Sequence, residues 1–212
     1  MILVGQYDSP FVRRVAVTLH HYHMPFERNT MSVFKHAAKM QKINPLTRIP
    51  SLILQSGEVL IDSVAIIDHL DETAGPARAL VPPHGAERRK VMQTVALAHG
   101  AAEKAAQISY ERFFHKARCV SKDWEKRCLS QLAAALKQLE SQCGAPWFHD
   151  MHMSHADIMT GCMIGYLKLR VSEAFPARKY PKLHGLSHHC ELHNEFVLSR
   201  ISPSETMPGK NK

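Results

Sequence analysis

Residues 2–15 read ILVGQYDSPFVRRV, and this stretch decides the first part of the fold. The apolar run Ile2-Leu3-Val4 predicts a short buried strand, and residues 5–8 (GQYD) form its exit loop. Ser9-Pro10 then predicts the start of a helix, because serine is a favoured N-cap and proline fits the first helical position. One face of this helix is apolar, with residues at helical spacing: Phe11, Val12, Val15, Ala16 and Leu19.

The segments that follow predict a small mixed sheet. Residues 26–31 can form a second strand, and because a helix joins it to the first, the two strands are expected to be parallel. Residues 51–54 and 59–61 flank the turn QSGE, which indicates a hairpin. Asp62-Ser63 then begins a helix whose inward face is predicted to hold Val64, Ile67 and Leu70. Residues 1–77 are therefore predicted to form an α/β, thioredoxin-like domain.

The rest of the chain predicts helices only. Residues 78–86 contain Pro82-Pro83 and Gly85, which indicates a linker. Residues 87–202 are predicted to form an all-α helical bundle, and the polar tail 203–212 to be disordered. The first two helices of this domain have apolar faces, made by Val91, Val95, Ala98, Ala102 and Ala105 and by Cys128, Leu132, Ala135 and Leu139. A third helix begins at Ser154 with a capping box that Asp157 completes.

Composition excludes several classes of protein. With 45% hydrophobic and 22% charged residues, the chain can bury a core and is not broadly disordered. It has no apolar run of about 18 residues, so no membrane span is predicted, and its first residues do not form a secretory signal. The formal net charge is +8, but no groove-reading motif accompanies it, so nucleic-acid binding is not predicted. Five cysteines without a CxxC pair indicate reduced thiols and a cytoplasmic location.

Fifteen histidines raise the question of a metal site. Three groups are candidates: His20, His21 and His23; His149, His152 and His155; and His189, Cys190 and His193. None has a second ligand pair at the spacing of a structural zinc site, and no HExxH pattern occurs. No metal site is predicted.

Four motifs in register resemble those of the cytosolic glutathione S-transferase superfamily. They are SPFVRRV at 9–15, NPLTRIPSL at 44–52, Asp62-Ser63, and the capping box at 154–157. Together with the domain order they cover nearly the whole chain, and the S-P-F-x-R-R signature is most similar to the bacterial serine- or cysteine-type members. The resemblance implies the glutathione-transferase fold, glutathione as co-substrate and a homodimer.

In such a protein Ser9 is the expected catalytic residue. Its hydroxyl would donate a hydrogen bond to the thiolate of glutathione, and the first turn of the helix, including the N–H of Phe11, would add the positive end of the helix dipole. Tyr7 is the rival, because some members use a tyrosine hydroxyl near the end of the first strand. Arg13 and Arg14 are expected on a solvated or interdomain face.

The resemblance also implies residues that bind glutathione. Pro50 would be cis, which presents the main chain of Ile49 to the cysteinyl unit. Ser63 would bind the γ-glutamyl carboxylate, and Asp62, one methylene shorter than the usual glutamate, would pair with the γ-glutamyl amine. Lys35 or His36 would contact the glycyl carboxylate.

The expected reaction is conjugation of the glutathione thiolate to a small hydrophobic electrophile. The second substrate is expected between the domains, against five aromatic residues: Tyr7, Phe11, Tyr110, Phe114 and Tyr166. Because position 9 is not cysteine, thiol–disulfide exchange by a protein thiolate is not expected. Two other functions stay open. One is a non-catalytic adaptor similar to the stringent starvation proteins, and the other is a glutathione-dependent isomerase or peroxidase.

Overall fold

The structure, a computed structural model, describes residues 1–149 and 151–206. These residues form two compact units. The first contains residues 1–83 and 192–206, and the second contains the described part of 84–191. Within the described ranges, no helix is long and apolar enough to cross a bilayer.

The first unit is built on a thioredoxin-like sheet. Its strands are β1 (Ile2–Val4), β2 (Glu27–Asn29), β3 (Ser51–Ile53) and β4 (Val59–Ile61), and its first three helices are α1 (Pro10–His21), α2 (Ala37–Ile43) and α3 (Ser63–Ala74). The strand order is β2-β1-β3-β4. β1 is parallel to β2 and antiparallel to β3, and β3 is antiparallel to β4. The predicted α/β domain, its parallel pair and its hairpin are therefore confirmed.

Helix α1 forms where the sequence predicts it, and it supplies much of the core of this unit. Ser9 is the N-cap in an extended conformation and Pro10 occupies the first turn. Fully buried side chains of α1 pack with those of the sheet and of α3: Val12, Val15, Ala16, Leu19, Leu3, Leu52, Ile66 and Leu70. Each buried side chain of this size contributes about 1.5–3 kcal/mol.

The inward face of α3 differs from the prediction. Ser63, Ile66 and Leu70 are buried, whereas Val64 is 51% exposed. Ser63 at the first helical position points inward, so the buried face runs through positions 63, 66 and 70 at the usual helical spacing. Only Leu70 of the three predicted positions is fully buried.

The second unit is all helical, as predicted. It contains α4 (Gly85–Phe114), α5 (Lys122–Gln142), α6 (His155–Arg170) and α7 (Pro181–Leu192), and α4 packs against both α5 and α6. The face of α5 includes Leu136 rather than Ala135, because the buried residues 128, 132 and 136 follow the four-residue spacing of a helix.

The predicted capping box at the start of α6 is confirmed. Ser154 caps the helix, and the Asp157 carboxylate accepts from the Ser154 N–H at 2.8 Å. Asp157 also accepts from the Phe148 N–H at 2.6 Å, which ties the preceding loop to this helix. Burial raises the pKa of Asp157, although these N–H donors act in the opposite direction.

Two predicted domain boundaries differ from the observed position of the C-terminal segment. Helix α8 (Asn194–Leu198) and the 3-10 turn Pro203–Glu205 belong to the first unit, not to the helical domain predicted for 87–202 or to a disordered tail. Residues 207–212 of the predicted tail lie outside the described residues.

Arg13 is one reason that the segment packs there. It is 2% exposed, and its guanidinium donates to the carbonyls of Ser199 at 2.9 Å and Phe196 at 3.4 Å. Arg14 is equally buried, so of the two predicted surroundings of these arginines the solvated face is wrong, and the interdomain face stays a prediction. The carbonyls at the end of α8 supply acceptors that allow the Arg13 guanidinium to be buried.

Candidate functional site

Four residues form one row across the end of the sheet. Val4, the last residue of β1, pairs with Asn29 of β2 and with Ser51 of β3. Ser51 in turn pairs with Ile61 of β4. Since β3 runs opposite to β1 and β4, its first residue lies beside the last residues of these two strands, and the last residue of β2 continues the row beyond β1.

This row gathers the four segments that the sequence singles out. Residues 5–9 follow Val4, residues 30–36 follow Asn29, residues 49–50 precede Ser51, and residues 62–63 follow Ile61. The segments are up to 58 residues apart in the chain, from position 5 to position 63, yet all begin or end at the same edge of the sheet. Each of the four strands is only three residues long, so the loops that follow or precede them begin or end close to this row.

Ser9 is held as a helix N-cap with its proton available for a ligand. The Val12 N–H donates to Ser9 Oγ at 3.4 Å. A hydroxyl has one proton and two acceptor lone pairs, so accepting this bond leaves the O–H to be donated elsewhere. Ser9 is partly exposed, and the 12-residue helix behind it directs the positive end of its dipole toward the same position.

The loop before β3 is organised by Asn44. Its side-chain NH2 donates to the Arg48 carbonyl at 2.9 Å, and its Oδ1 accepts from the Leu46 N–H at 2.9 Å. Asn44 is buried, and the loop ends in the cis peptide Ile49-Pro50. The cis geometry that the resemblance implies is therefore present.

Asp62 and Ser63 begin α3 in an unusual backbone conformation. Asp62 has a φ of 68° and serves as the N-cap, with Oδ1 accepting from the Val64 N–H at 2.8 Å. The residue is exposed, whereas Ser63 is only 2% exposed. Asp62 is thus a helix cap whose carboxylate charge is in contact with solvent.

The loop that contains Lys35 and His36 is ordered by Ser32. Buried Ser32 accepts the N–H groups of Phe34 and Lys35 on its Oγ at 3.3 and 3.4 Å. Its own N–H lies 3.2 Å from His36 Nδ1. The Ser32 N–H donates to this ring nitrogen, which holds the His36 side chain against the loop. Lys35 and His36 are both exposed, so the choice between them as the contact of the glycyl carboxylate stays a prediction.

Tyr7 is a buried residue of the loop that follows β1. It is 1% exposed, and the Arg28 guanidinium lies 3.4 Å from the centre of its ring. Burial raises the pKa of its phenol to about 12. Of the two candidates, Ser9 is therefore the more exposed residue, and the choice between them stays a prediction.

The other aromatic residues of the predicted second-substrate pocket have mixed surroundings. Phe11 is half-buried on α1, and Tyr166 is buried on α6. Tyr110 and Phe114 are exposed on α4, with their ring centroids 5.8 Å apart in an edge-to-face arrangement. The pocket itself stays a prediction.

Metal ligands do not come together in the part of the chain that the structure describes. Across residues 1–149 and 151–206, no group of three or more histidine, cysteine, aspartate or glutamate side chains could hold an ion.

Two residues near the site were not predicted from the sequence. Arg28 and Glu205 pair at 2.7 Å, and Glu205 also accepts the Tyr7 N–H at 2.9 Å. Tyr7 and Glu205 are 198 residues apart, and no local pattern links them. The only sequence signal for this pairing was Glu205 itself, an acidic residue in a tail that has few other charges before its last lysines.

Comparison with known families and proteins gives a consistent result. Residues 3–78 match the family model described as "Glutathione S-transferase, N-terminal domain". Over 170 residues the chain is 29% identical to YibF, an uncharacterized GST-like protein of Escherichia coli K12. The aligned region covers 80% of this chain and 83% of the relative.

Two further similarities extend over most of the chain. A probable maleylacetoacetate isomerase 1 of Drosophila melanogaster is 29% identical over 82% of this chain and 68% of its own length. A glutathione S-transferase of Methylobacillus flagellatus KT, solved with glutathione bound, superposes with a TM-score of 0.86 at 26% identity and covers 93% of this chain and 98% of its own.

Proposed function

Because the chain belongs to the glutathione S-transferase superfamily, we propose that it is a glutathione transferase of the serine type. The glutathione sulfur attacks a small hydrophobic electrophile, R–X. A carbon–sulfur bond forms, the bond to the leaving group breaks, and the leaving group departs with its electron pair. The observation that carries this proposal is the row of Asn29, Val4, Ser51 and Ile61, which gathers the four candidate glutathione-binding segments at one end of the sheet.

Ser9 makes the thiolate accessible at neutral pH. An unperturbed thiol has a pKa of about 8.5, and lowering it by about two units requires roughly 2.7 kcal/mol of preferential stabilisation of the anion. A hydrogen bond from a hydroxyl to a charged sulfur contributes about 1.5–3 kcal/mol. The N-terminal end of α1 adds about 0.3–1 kcal/mol. Together these two contributions reach the required amount.

The remaining segments bind the glutathione backbone. The main chain of Ile49, presented by Pro50, pairs with the cysteinyl unit. The backbone N–H of the buried Ser63, at the N-terminal end of α3, binds the γ-glutamyl carboxylate, since helix N-termini favour anions, and the exposed Asp62 carboxylate pairs with the γ-glutamyl amine. Lys35 contacts the glycyl carboxylate, with His36 as the alternative.

A glutathione-dependent isomerase is the second candidate. The same thiolate can add to an unsaturated carbonyl compound and leave again, so the site requires no further residue for it. The similarity to a protein named as a probable maleylacetoacetate isomerase favours this candidate over a peroxidase. The homodimer and the cytoplasmic location remain predictions.

Two measurements on the wild-type protein test the proposal. Calorimetric titration should give saturable binding of glutathione, and incubation with a chlorinated dinitrobenzene should release the glutathione conjugate faster than the solution reaction does. Binding without conjugation, together with isomerisation of a cis-enone substrate, would transfer the assignment to the isomerase. Failure to bind glutathione would contradict both enzymes and favour the adaptor.

A further inference from the structure

We propose that Glu205 is a positioning residue for the Ser9 hydroxyl and acts through the backbone N–H of Tyr7. The inference rests on the proposed function, because it concerns the residue that stabilises the thiolate. It assigns a role to the C-terminal turn Pro203–Glu205, which lies in a segment that the sequence indicates to be disordered.

Glu205 holds two groups with a single oxygen atom. Its Oε2 accepts from the Tyr7 N–H at 2.9 Å and from Arg28 Nη2 at 2.7 Å. Glu205 is 7% exposed, and its bond to the Tyr7 N–H is buried, whereas its bond to Arg28 is partly buried. A carboxylate that accepts from a backbone N–H and from a guanidinium makes charge-assisted bonds, which are stronger than bonds between neutral groups.

The turn that Glu205 holds is the one that places Ser9. The Ser9 N–H donates to the Gln6 carbonyl at 3.1 Å, so residues 6–9 form a closed turn with Tyr7 inside it. Ser9 then passes directly into α1, where the Arg13 N–H donates to its carbonyl at 2.9 Å. One end of the turn is thus fixed by the helix. The other end follows β1, and between them the Tyr7 N–H is fixed by Glu205.

Arg28 links the side chain of Tyr7 to the same carboxylate. Its guanidinium lies over the Tyr7 ring at 3.4 Å and binds Glu205, so the ring and the backbone of Tyr7 are held by one ion pair.

Removal of the carboxylate should therefore change the chemistry at Ser9. The Tyr7 N–H would lose its buried acceptor, and the turn would have to move to find water or another partner. A displaced turn carries Ser9 with it, and a hydrogen bond to sulfur weakens steeply when its geometry deteriorates. Binding of glutathione should change little, because the segments at 49–50 and 62–63 remain in place.

The test compares Glu205→Ala with Glu195→Ala. Glu195 is the matched control, because it also pairs the C-terminal segment with the N-terminal part of the first unit, through His21 Nδ1 of α1 at 3.2 Å, and it pairs there and not with the turn. We expect Glu205→Ala to raise the pKa of the bound glutathione thiol by about one unit and to lower kcat at neutral pH about tenfold. The Kd of glutathione should change less than about threefold, and Glu195→Ala should leave the thiol pKa unchanged. Glu205→Gln keeps an acceptor oxygen, so its kcat and its thiol pKa should lie closer to those of wild type than to those of Glu205→Ala.

A second readout does not require glutathione. Hydrogen exchange of the amides in residues 5–9 should be at least about tenfold faster in Glu205→Ala than in wild type or Glu195→Ala. If wild type binds no glutathione, the proposed function fails, and this exchange rate still decides whether Glu205 holds the turn. If Glu205→Ala does not fold, Glu205→Asp, whose carboxylate is one methylene shorter, takes its place in both measurements. An unchanged thiol pKa or unchanged exchange in the folded variant would overturn the role of Glu205.

Discussion

Gly5 lies directly against Ile49, at the point where the loop after β1 passes the loop before β3. A Cβ atom on Gly5 would stand 3.0 Å from Ile49 Cβ and 2.6 Å from Val12 Cγ2. The φ of Gly5 is +136°, a conformation that residues with a side chain rarely adopt. This absence of a side chain allows Ile49 and the first turn of α1 to lie close together on either side of Gly5.

Gly5→Ala should therefore be more damaging than an ordinary glycine substitution. The matched control is Gly57→Ala, since Gly57 also has a positive φ, +89°, but a Cβ there meets nothing within 4 Å. Gly57→Ala should cost about 1 kcal/mol of unfolding free energy from the backbone alone, and Gly5→Ala about 1–3 kcal/mol more, because the core must shift. Urea unfolding measures both. Equal costs would show that the contact with Ile49 and Val12 is not tight.

Ser9→Ala should remove the main stabilisation of the thiolate. The pKa of bound glutathione should rise by about one to two units, and kcat/KM at neutral pH should fall about 10- to 100-fold. Ultraviolet titration of the thiolate and initial-rate kinetics measure the two effects.

Loss of the helix cap needs its own control. Ser121→Ala removes the N-cap of α5, where Ser121 Oγ accepts the Trp124 N–H at 3.3 Å, in nearly the same geometry as at Ser9. Both variants should lose about 1 kcal/mol of stability, but only Ser9→Ala should lose activity. A Ser9→Ala enzyme as active as Ser121→Ala would exclude Ser9 as the catalytic residue.

Tyr7→Phe should leave conjugation within about twofold of wild type, because the phenol is buried beneath Arg28 and we propose Ser9, not Tyr7, as the donor to the thiolate. A loss of activity as large as that of Ser9→Ala would transfer the catalytic role to Tyr7.

The raised pKa of Tyr7 predicts that stability depends on pH, and Tyr7→Phe tests this prediction. Burial raises the pKa of the Tyr7 phenol from 10.0 to about 12 in the folded protein. The stability that the protonated phenol contributes is therefore fully present below pH 10 and is lost as pH rises toward 12. Between these values the unfolding free energy of wild type should fall relative to Tyr7→Phe by about 1.4 kcal/mol per pH unit. Parallel curves for the two proteins in alkaline urea titrations would show that the phenol ionises equally in both states.

Asp62→Asn separates the charge of this residue from its structural role. Asparagine can keep the cap to the Val64 N–H and tolerates a positive φ, so stability should change by less than about 0.5 kcal/mol. The pairing with the γ-glutamyl amine should weaken, and the Kd of glutathione should rise about tenfold. Asp68→Asn, at an exposed position on the same helix, is the control and should leave the Kd unchanged.

Lys35→Gln should raise the Kd of glutathione about three- to tenfold, because an exposed cation contributes modestly to binding of the glycyl carboxylate. The effect should shrink as salt is added. Lys39→Gln on α2 provides the control for loss of one surface charge. If the Kd of glutathione rises in His36→Gln and does not rise in Lys35→Gln, His36 is the partner of the glycyl carboxylate.

Much of the fold could be predicted because its signals are local. The N-cap at Ser9, the hairpin around Gln55–Glu58 and the capping box at Ser154 each act over a few residues, and all three appear in the structure. The inward face of α3 was predicted less well. Whether Ser63 or Val64 points to the core depends on how the helix is rotated at its first turn, which the unusual φ of Asp62 sets.

The candidate site was predictable as a set of segments but not as an arrangement. The motifs name residues 9, 49–50 and 62–63, and the sequence places the strands beside them. Only the register of Val4, Ser51 and Ile61 brings those segments to the same end of the sheet. Pairing registers depend on interactions between strands far apart in the chain, so no single stretch of sequence contains them.

By itself, then, the sequence determined where helices and strands begin, which residues can act on a thiol, and the order of an α/β and an all-α part. Tertiary structure alone decided that Arg13 and Glu205 are buried and that Tyr7 is covered by Arg28. The physical reason is that a charged group can be buried only where partners satisfy it, and those of Arg13 and Glu205 lie more than 170 residues away along the chain. Ser9 is thus placed at the helix start by the residues next to it in the sequence. The Tyr7 N–H in the same turn is bound by a residue near the other end of the protein.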